Sequence, residues 1–134
     1  MVKIFVHKKL RDAMNEEKLT TLVKSFRAYK EGKKLPSIFG RDAPYDHTHN
    51  RQYLDLQHIH FRESGFPLKI LQFNRTSRFV LVYCPGFFNS NHYLLIAIIN
   101  HWNHRQPDVI EDTDRDRNLM VILEGIAEGF REKF

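Results

Sequence analysis

Cysteine is almost absent from this chain: Cys84 is the single one among 134 residues. One thiol closes no intramolecular bridge, so the fold rests on packing and suits a reducing compartment. Long hydrophobic runs are missing too. The longest, at 93–99, falls far short of the ~18 residues that span a bilayer, and the opening MVKIFVHKKL turns basic too soon for a secretion signal. A cytoplasmic protein without membrane association is expected. There is no glycine-rich phosphate loop, no paired C-x-x-C and no G-x-S-x-G elbow, which argues against nucleoside-triphosphate and triad-hydrolase chemistry. A chain of this length buries roughly two-thirds of its unfolded surface, enough for one self-sufficient domain over 1–134.

What is present is positive charge, unevenly placed. Lys and Arg number 21 against 16 Asp and Glu, a net +5. Residues 1–34 carry net +6, residues 35–105 net +3 and residues 106–134 net −4. A basic surface of this kind favours a polyanionic partner, of which nucleic acid is the commonest.

Val2 to Val6 alternate as a short strand, followed by the basic stretch His7-Lys8-Lys9 and Arg11. Asn15 then fits as a helix cap. Glu16 and Glu17 sit in the first turn, Leu19, Leu22, Val23 and Phe26 repeat at i, i+3, i+4, i+7, and Gly32 with Pro36 stops the helix. Lys18, Lys24, Lys30, Lys33 and Lys34 lie on its polar side or just beyond, as a solvated face or as one turned to RNA. From Leu35 to Gln52, Pro36, Gly40 and Pro44 punctuate a long loop, and loops of such length in compact domains are more often functional than filler. Three strands follow at Tyr53–Arg62, Phe79–Cys84 and Tyr93–Ile99, the last two joined as a hairpin through Pro85-Gly86 and Asn89-Ser90-Asn91. A final helix carries the stripe Leu119, Ile122, Leu123, Ile126, Ala127 and Phe130, with Gly125 and Gly129 expected to pack closely on the sheet. This order predicts an α+β domain: a mostly antiparallel four-stranded sheet with helices packed on one face.

Within Leu54 to Phe61, period-two alternation turns Ile59 and Phe61 toward the helices and sets His58 and His60 side by side on the other face. Imidazoles titrate near neutrality, so one is available as general base while the other, protonated, acts as acid. The alternatives are ordinary exposed strand histidines or, because His47-Thr48-His49 repeats the spacing, a shared metal site. No carboxylate or cysteine stands at a recognised spacing to complete a metal set. In the loop, Arg41 either pairs with Asp42 or Asp46 to fix the chain, or binds phosphate while Asp46 or His47 polarises a hydroxyl. Arg75, beside Thr76 and Ser77 before a strand, either meets an anion there or faces solvent. Cys84 reads as a small buried hydrophobe.

Six stretches in order, LPSIFGRDAPYD at 35–46, HIHF at 58–61, FPLKILQFNRTS at 66–77, LVYCPG at 81–86, LLIAII at 94–99 and AEGFREKF at 127–134, resemble the YafO family of bacterial type II toxins over nearly the whole chain. The segment 101–114 is the least similar. The resemblance implies a RelE-like fold and a ribosome-associated mRNA interferase, silenced by a cognate, YafN-like antitoxin and acting on mRNA at the 30S A-site region. No cofactor and no metal are expected. Cleavage then proceeds by attack of a ribose 2′-hydroxyl on the adjacent phosphate. The roles expected are His58 and His60 as base and acid, Arg75 and Arg41 as phosphate stabilisers, and Asp46 orienting a histidine or Arg41. Lys24, Lys30, Lys33, Lys34, Arg78, Tyr83 and Arg131 are the expected RNA contacts. A non-catalytic translation blocker is the competing class, and intact message in arrested cells would favour it.

Overall fold

The computed structural model describes residues 1–45, 54–100 and 117–134. Its elements run β1 (Lys3–Val6), α1 (Lys8–Ala13), α2 (Glu16–Lys30), β2 (Phe39–Pro44), β3 (Gln57–Phe61), a 3-10 turn at Gln72–Asn74, β4 (Phe79–Pro85), β5 (His92–Asn100) and α3 (Arg117–Lys133). Among the described residues these strands form one sheet in the order β1-β5-β4-β3-β2. Only β1 and β5 pair in parallel; the other neighbours are antiparallel.

The α+β class holds, with a fifth strand beyond the four expected. It is β2, in the stretch read as loop, where Ala43 and Pro44 pair with His58 and Gln57. Gly40 and Pro44 there do not break a strand. Pro44 ends it at the sheet edge, where a missing N–H is tolerated. Gly40 lets the chain pass against Arg75: a Cβ on it would stand 2.7 Å from the Arg75 Cβ and nearer still to the Arg75 carbonyl. Helix α2 begins as expected, with the Asn15 Oδ1 accepting from the Lys18 N–H at 2.7 Å. The basic stretch before it is helical as well, and the His7 Nδ1 caps α1 by accepting from the Lys9 N–H at 3.0 Å.

The expectation of helices on one face needs correction, because both faces are covered. Leu81 and Tyr83 of β4, Leu95 of β5, Ile59 of β3 and Phe39 of β2 pack with Leu10 of α1 and with Leu22 and Phe26 of α2. Val80, Val82 and Cys84 point the other way and meet Met120, Leu123, Ala127 and Phe130 of α3. Strands buried on both faces read as continuous apolar runs, which is what LLIAII is. Between Val82 and Tyr83 the register slips, their partners being Ala97 and Leu95. Leu94, Ile96, Ala97 and Ile99 thereby all reach the α3 side. The α3 stripe holds at Leu119, Leu123, Ile126, Ala127 and Phe130 but not at Ile122, which is exposed while Met120 is buried; and among the described residues nothing lies within 4 Å of where a Cβ on Gly125 or Gly129 would stand, so neither packs closely on the sheet. The end of α3 is latched to the β4–β5 turn, where the Phe134 carbonyl accepts from the Phe88 and Asn89 N–H groups at 2.9 Å each. The Phe134 ring packs 4.7 Å from that of Phe5.

Replacing Gly40 by Ala forces β2 away from Arg75. Overpacking of this kind costs roughly 1–3 kcal/mol, so urea-unfolding midpoints should fall by at least that equivalent in Gly40→Ala, with the denaturant slope unchanged.

Candidate active site

His58 and His60 lie on the α3 side of β3, facing Val82 and Val80 of β4. Their ring centroids are 6.3 Å apart. The His58 ring is half-buried and stacks on Tyr45, centroids 4.2 Å apart and planes 28° from parallel. His60 is buried at 6% exposure. Its Nδ1 accepts from the Ser77 N–H at 2.8 Å, and the Ser77 carbonyl lies 3.1 Å from the same nitrogen. The N–H contact makes Nδ1 an acceptor and puts the proton of a neutral ring on Nε2; a proton on Nδ1 would face the Ser77 N–H donor at 2.8 Å.

Ser77 is itself held, its Oγ donating to the carbonyls of Phe61 and Phe79 at 2.9 and 2.8 Å. The segment leading to it is pinned by Arg75. That arginine is 5% exposed; its Nε donates to the Ile70 carbonyl at 2.9 Å and an Nη to the Phe39 carbonyl at 3.3 Å. Its own carbonyl accepts from the Arg41 N–H at 2.9 Å. The phosphate role expected of Arg75 is therefore corrected: the guanidinium is turned inward onto backbone, and it supports the site through the chain that carries Ser77. Arg78, next after Ser77, is exposed, with Nε 3.3 Å from Asn100 Oδ1. Arg41 is exposed on β2 and stacks on Phe73, 4.3 Å from the ring centre. At the other end of the same face, Arg131 donates to the Pro85 carbonyl at 2.9 Å and stands 4.0 Å from Asp55. Asp46, with His47 and His49, lies outside the described residues.

Lys24, Lys33 and Lys34 are exposed on α2 or just past it. Lys30 and Tyr83 are not free to meet RNA, a second correction. Both belong to a network on the α2 side that the sequence reading missed. The Asp42 carboxylate accepts from Tyr29 Oη at 2.7 Å and from Tyr83 Oη at 2.8 Å, and Lys30 Nζ lies 3.7 Å away. Lys30 also donates to Tyr83 Oη at 3.0 Å. Its ammonium sits 4.8, 5.1 and 5.2 Å from the ring centres of Tyr83, Tyr29 and Tyr93. Gln72 closes the rim, donating to Tyr29 Oη at 3.1 Å and to the Gly40 carbonyl at 3.0 Å. Tyr83 alternates with Val82 along β4, which was the available sign that it faces the helices. Burial pushes Lys30 down, partly offset by Asp42. Burial first, and the Asp42 charge second, push Tyr29 and Tyr83 well up. Cys84, buried as expected, is pushed up to about 12 by its apolar surroundings, so it is no thiolate nucleophile.

The profile of the family described as Toxin YafO, type II toxin-antitoxin system, matches residues 27–132. A curated relative, mRNA interferase toxin YafO of Escherichia coli (strain K12), is 35% identical over 139 aligned positions that cover 99% of this chain and 100% of that protein. A solved structure, a metal-bound toxin from Helicobacter pylori, aligns at a TM-score of 0.43 and 16% identity over 75% of this chain and 96% of that one. The family match sets the chain among the toxins of type II toxin-antitoxin systems, so an antitoxin is its partner. Within that class, the chain belongs to the YafO toxin family.

The tyrosine network makes alkaline stability a test of the geometry. An unfolded chain releases tyrosine protons near pH 10 while the folded one keeps them, so stability falls as pH rises beyond 10. Lys30 acts oppositely: the folded chain loses that proton first, so its contribution to stability grows with pH up to the ordinary lysine value of 10.5 and is constant above it. Unfolding free energy measured above pH 10.5 should therefore decline, at up to about 1.4 kcal/mol per pH unit for each tyrosine. Half-buried Tyr29 contributes less than that ceiling because solvent screens it, and Tyr29→Phe should make the decline shallower without abolishing it.

Proposed function

We propose that this chain is an mRNA interferase: an endoribonuclease that cuts translated message at the 30S A-site region of the ribosome, in the cytoplasm, and that a YafN-like antitoxin silences it. The name of the curated relative supports the activity. The observation that carries the chemistry is the histidine pair, two rings 6.3 Å apart on one sheet face, with the Ser77 N–H holding the His60 ring through Nδ1. One histidine takes the proton of a ribose 2′-hydroxyl as its oxygen attacks the adjacent phosphorus. The other gives a proton to the departing 5′-oxygen. The products are a 2′,3′-cyclic phosphate and a fragment with a free 5′-hydroxyl. His58, stacked on Tyr45, and His60, held through Nδ1, share the base and acid roles. The exposed guanidinium groups of Arg78 and Arg41 are the cations set to meet the phosphate charge, while Arg75 positions the Ser77 segment. As written, the reaction uses no metal ion.

General acid–base catalysis is typically worth ~10²–10⁴-fold. In a translation reaction with purified ribosomes, His58→Ala and His60→Ala should each lose cleavage by that order while keeping the wild-type circular dichroism spectrum. Primer extension should map discrete new 5′ ends for the wild type, equally with toxin that was treated with EDTA and desalted before it is added to the reaction. Either histidine variant cleaving within about threefold of wild type would remove that residue from the mechanism. Arrest of translation with no new ends would replace the nuclease by a blocker.

A further inference from the structure

On the sheet face opposite the histidines, α1 and α2 leave an open groove of about 690 Å³. Its floor is aliphatic, with Met14, Leu19 and Val23 half-buried along it. Its rim is cationic: Arg11, Lys24 and Arg27 line it and are exposed. Glu16 is the single carboxylate among the described lining residues. This groove lies within the first third of the chain, where the net charge is +6.

Two kinds of polyanion answer to such a rim, and the floor distinguishes them. Single-stranded RNA is held by cations on phosphates and by aromatic rings under its bases, and among the described residues the groove has an aliphatic floor and no aromatic ring. An amphipathic protein segment is held by apolar side chains seated in a groove, with charges of the opposite sign at its edges. We propose that this groove is the docking site of the antitoxin, taking an amphipathic, net-acidic segment whose apolar side chains seat on Met14, Leu19 and Val23 while its carboxylates meet Arg11, Lys24 and Arg27. Only the toxin–antitoxin pairing is needed for this, not the histidine chemistry. Because the groove and the histidines lie on opposite faces, antitoxin affinity and cleavage are separable by substitution.

The test uses the purified full-length toxin and its cognate antitoxin. Charge reversal of two exposed rim residues, Arg11→Glu with Arg27→Glu, should raise the Kd at least ~30-fold and flatten its salt dependence. Cleavage of translated message should stay within twofold of wild type. Leu19→Gln, which wets the floor and leaves the charge alone, should also weaken antitoxin binding, and it keeps the question answerable if the double variant does not fold. An unchanged Kd in the folded variants overturns the proposal. So does an unchanged Kd with cleavage lost, which would assign the rim to ribosomal RNA. A wild-type toxin that binds antitoxin through this groove yet cleaves no message would overturn the nuclease reading and leave the docking site standing.

Discussion

A mostly buried carboxylate, Asp42, sets the arrangement of this molecule. Removed from water without donors, such a group destabilises a fold by several kcal/mol; here two tyrosine hydroxyls and the Lys30 ammonium surround it. The three partners come from two elements that are distant in sequence, α2 and β4. Satisfying one side chain therefore ties the end of α2 to the centre of the sheet and draws β2, which carries Asp42, onto β3. The aromatic rings around Lys30 do the same for the cation, replacing lost hydration with the negative faces of Tyr83, Tyr29 and Tyr93. The parts are interdependent: removing either charge strands the other in a site that water reaches poorly.

From β2 the support passes to the histidine face. Gly40 admits the Arg75 segment, Arg75 fastens that segment through the Ile70 and Phe39 carbonyls, and two residues on Ser77 presents its N–H to His60. A network on the α2 side is thus coupled by covalent chain and close packing to a ring on the α3 side. Acid–base catalysis tolerates little looseness, because a positioned side chain must meet its proton at hydrogen-bond distance. A buried arginine two residues from the partner of a histidine is a more effective contribution to that precision than a third surface cation would be.

Much of the fold was legible because its causes are local. The Asn15 cap, the α2 periodicity and the β4–β5 hairpin depend on residues within a few positions of one another. The histidine pair was legible for the same reason, since alternation alone puts His58 and His60 on one face. What escaped reading depends on tertiary partners. Gly40 and Pro44 look like loop punctuation until Arg75 is beside the one and a sheet edge beside the other. Arg75 looks like an anion site until the Phe39 carbonyl of β2, with that of Ile70 five residues back, claims its guanidinium. Lys30 looks like one more exposed lysine until Asp42, from strand β2, is opposite it. One misreading was avoidable: LLIAII is apolar without alternation, and a strand apolar on both sides needs a layer on each face.

That two-sided burial is also what gives a small domain two working surfaces. With central strands β4 and β5 covered by α1 and α2 on one side and α3 on the other, each face presents a different chemistry to its surroundings. The histidines sit on the α3 side of β3, His58 half-buried against Tyr45 and His60 buried beside Ser77. On the opposite face the helices themselves meet solvent, and their exposed residues are free to be cationic because the sheet beneath is already satisfied. Among the basic residues of the first 34, Arg11, Lys24 and Arg27 are held in this way on the face away from the proposed chemistry. Charge placed there does little to stabilise a phosphorane at the histidines, since attraction between exposed groups fades within about 8–10 Å at physiological salt. It is available to a partner instead, and an apolar floor beneath a basic rim selects an acidic protein segment over a bare polyanion.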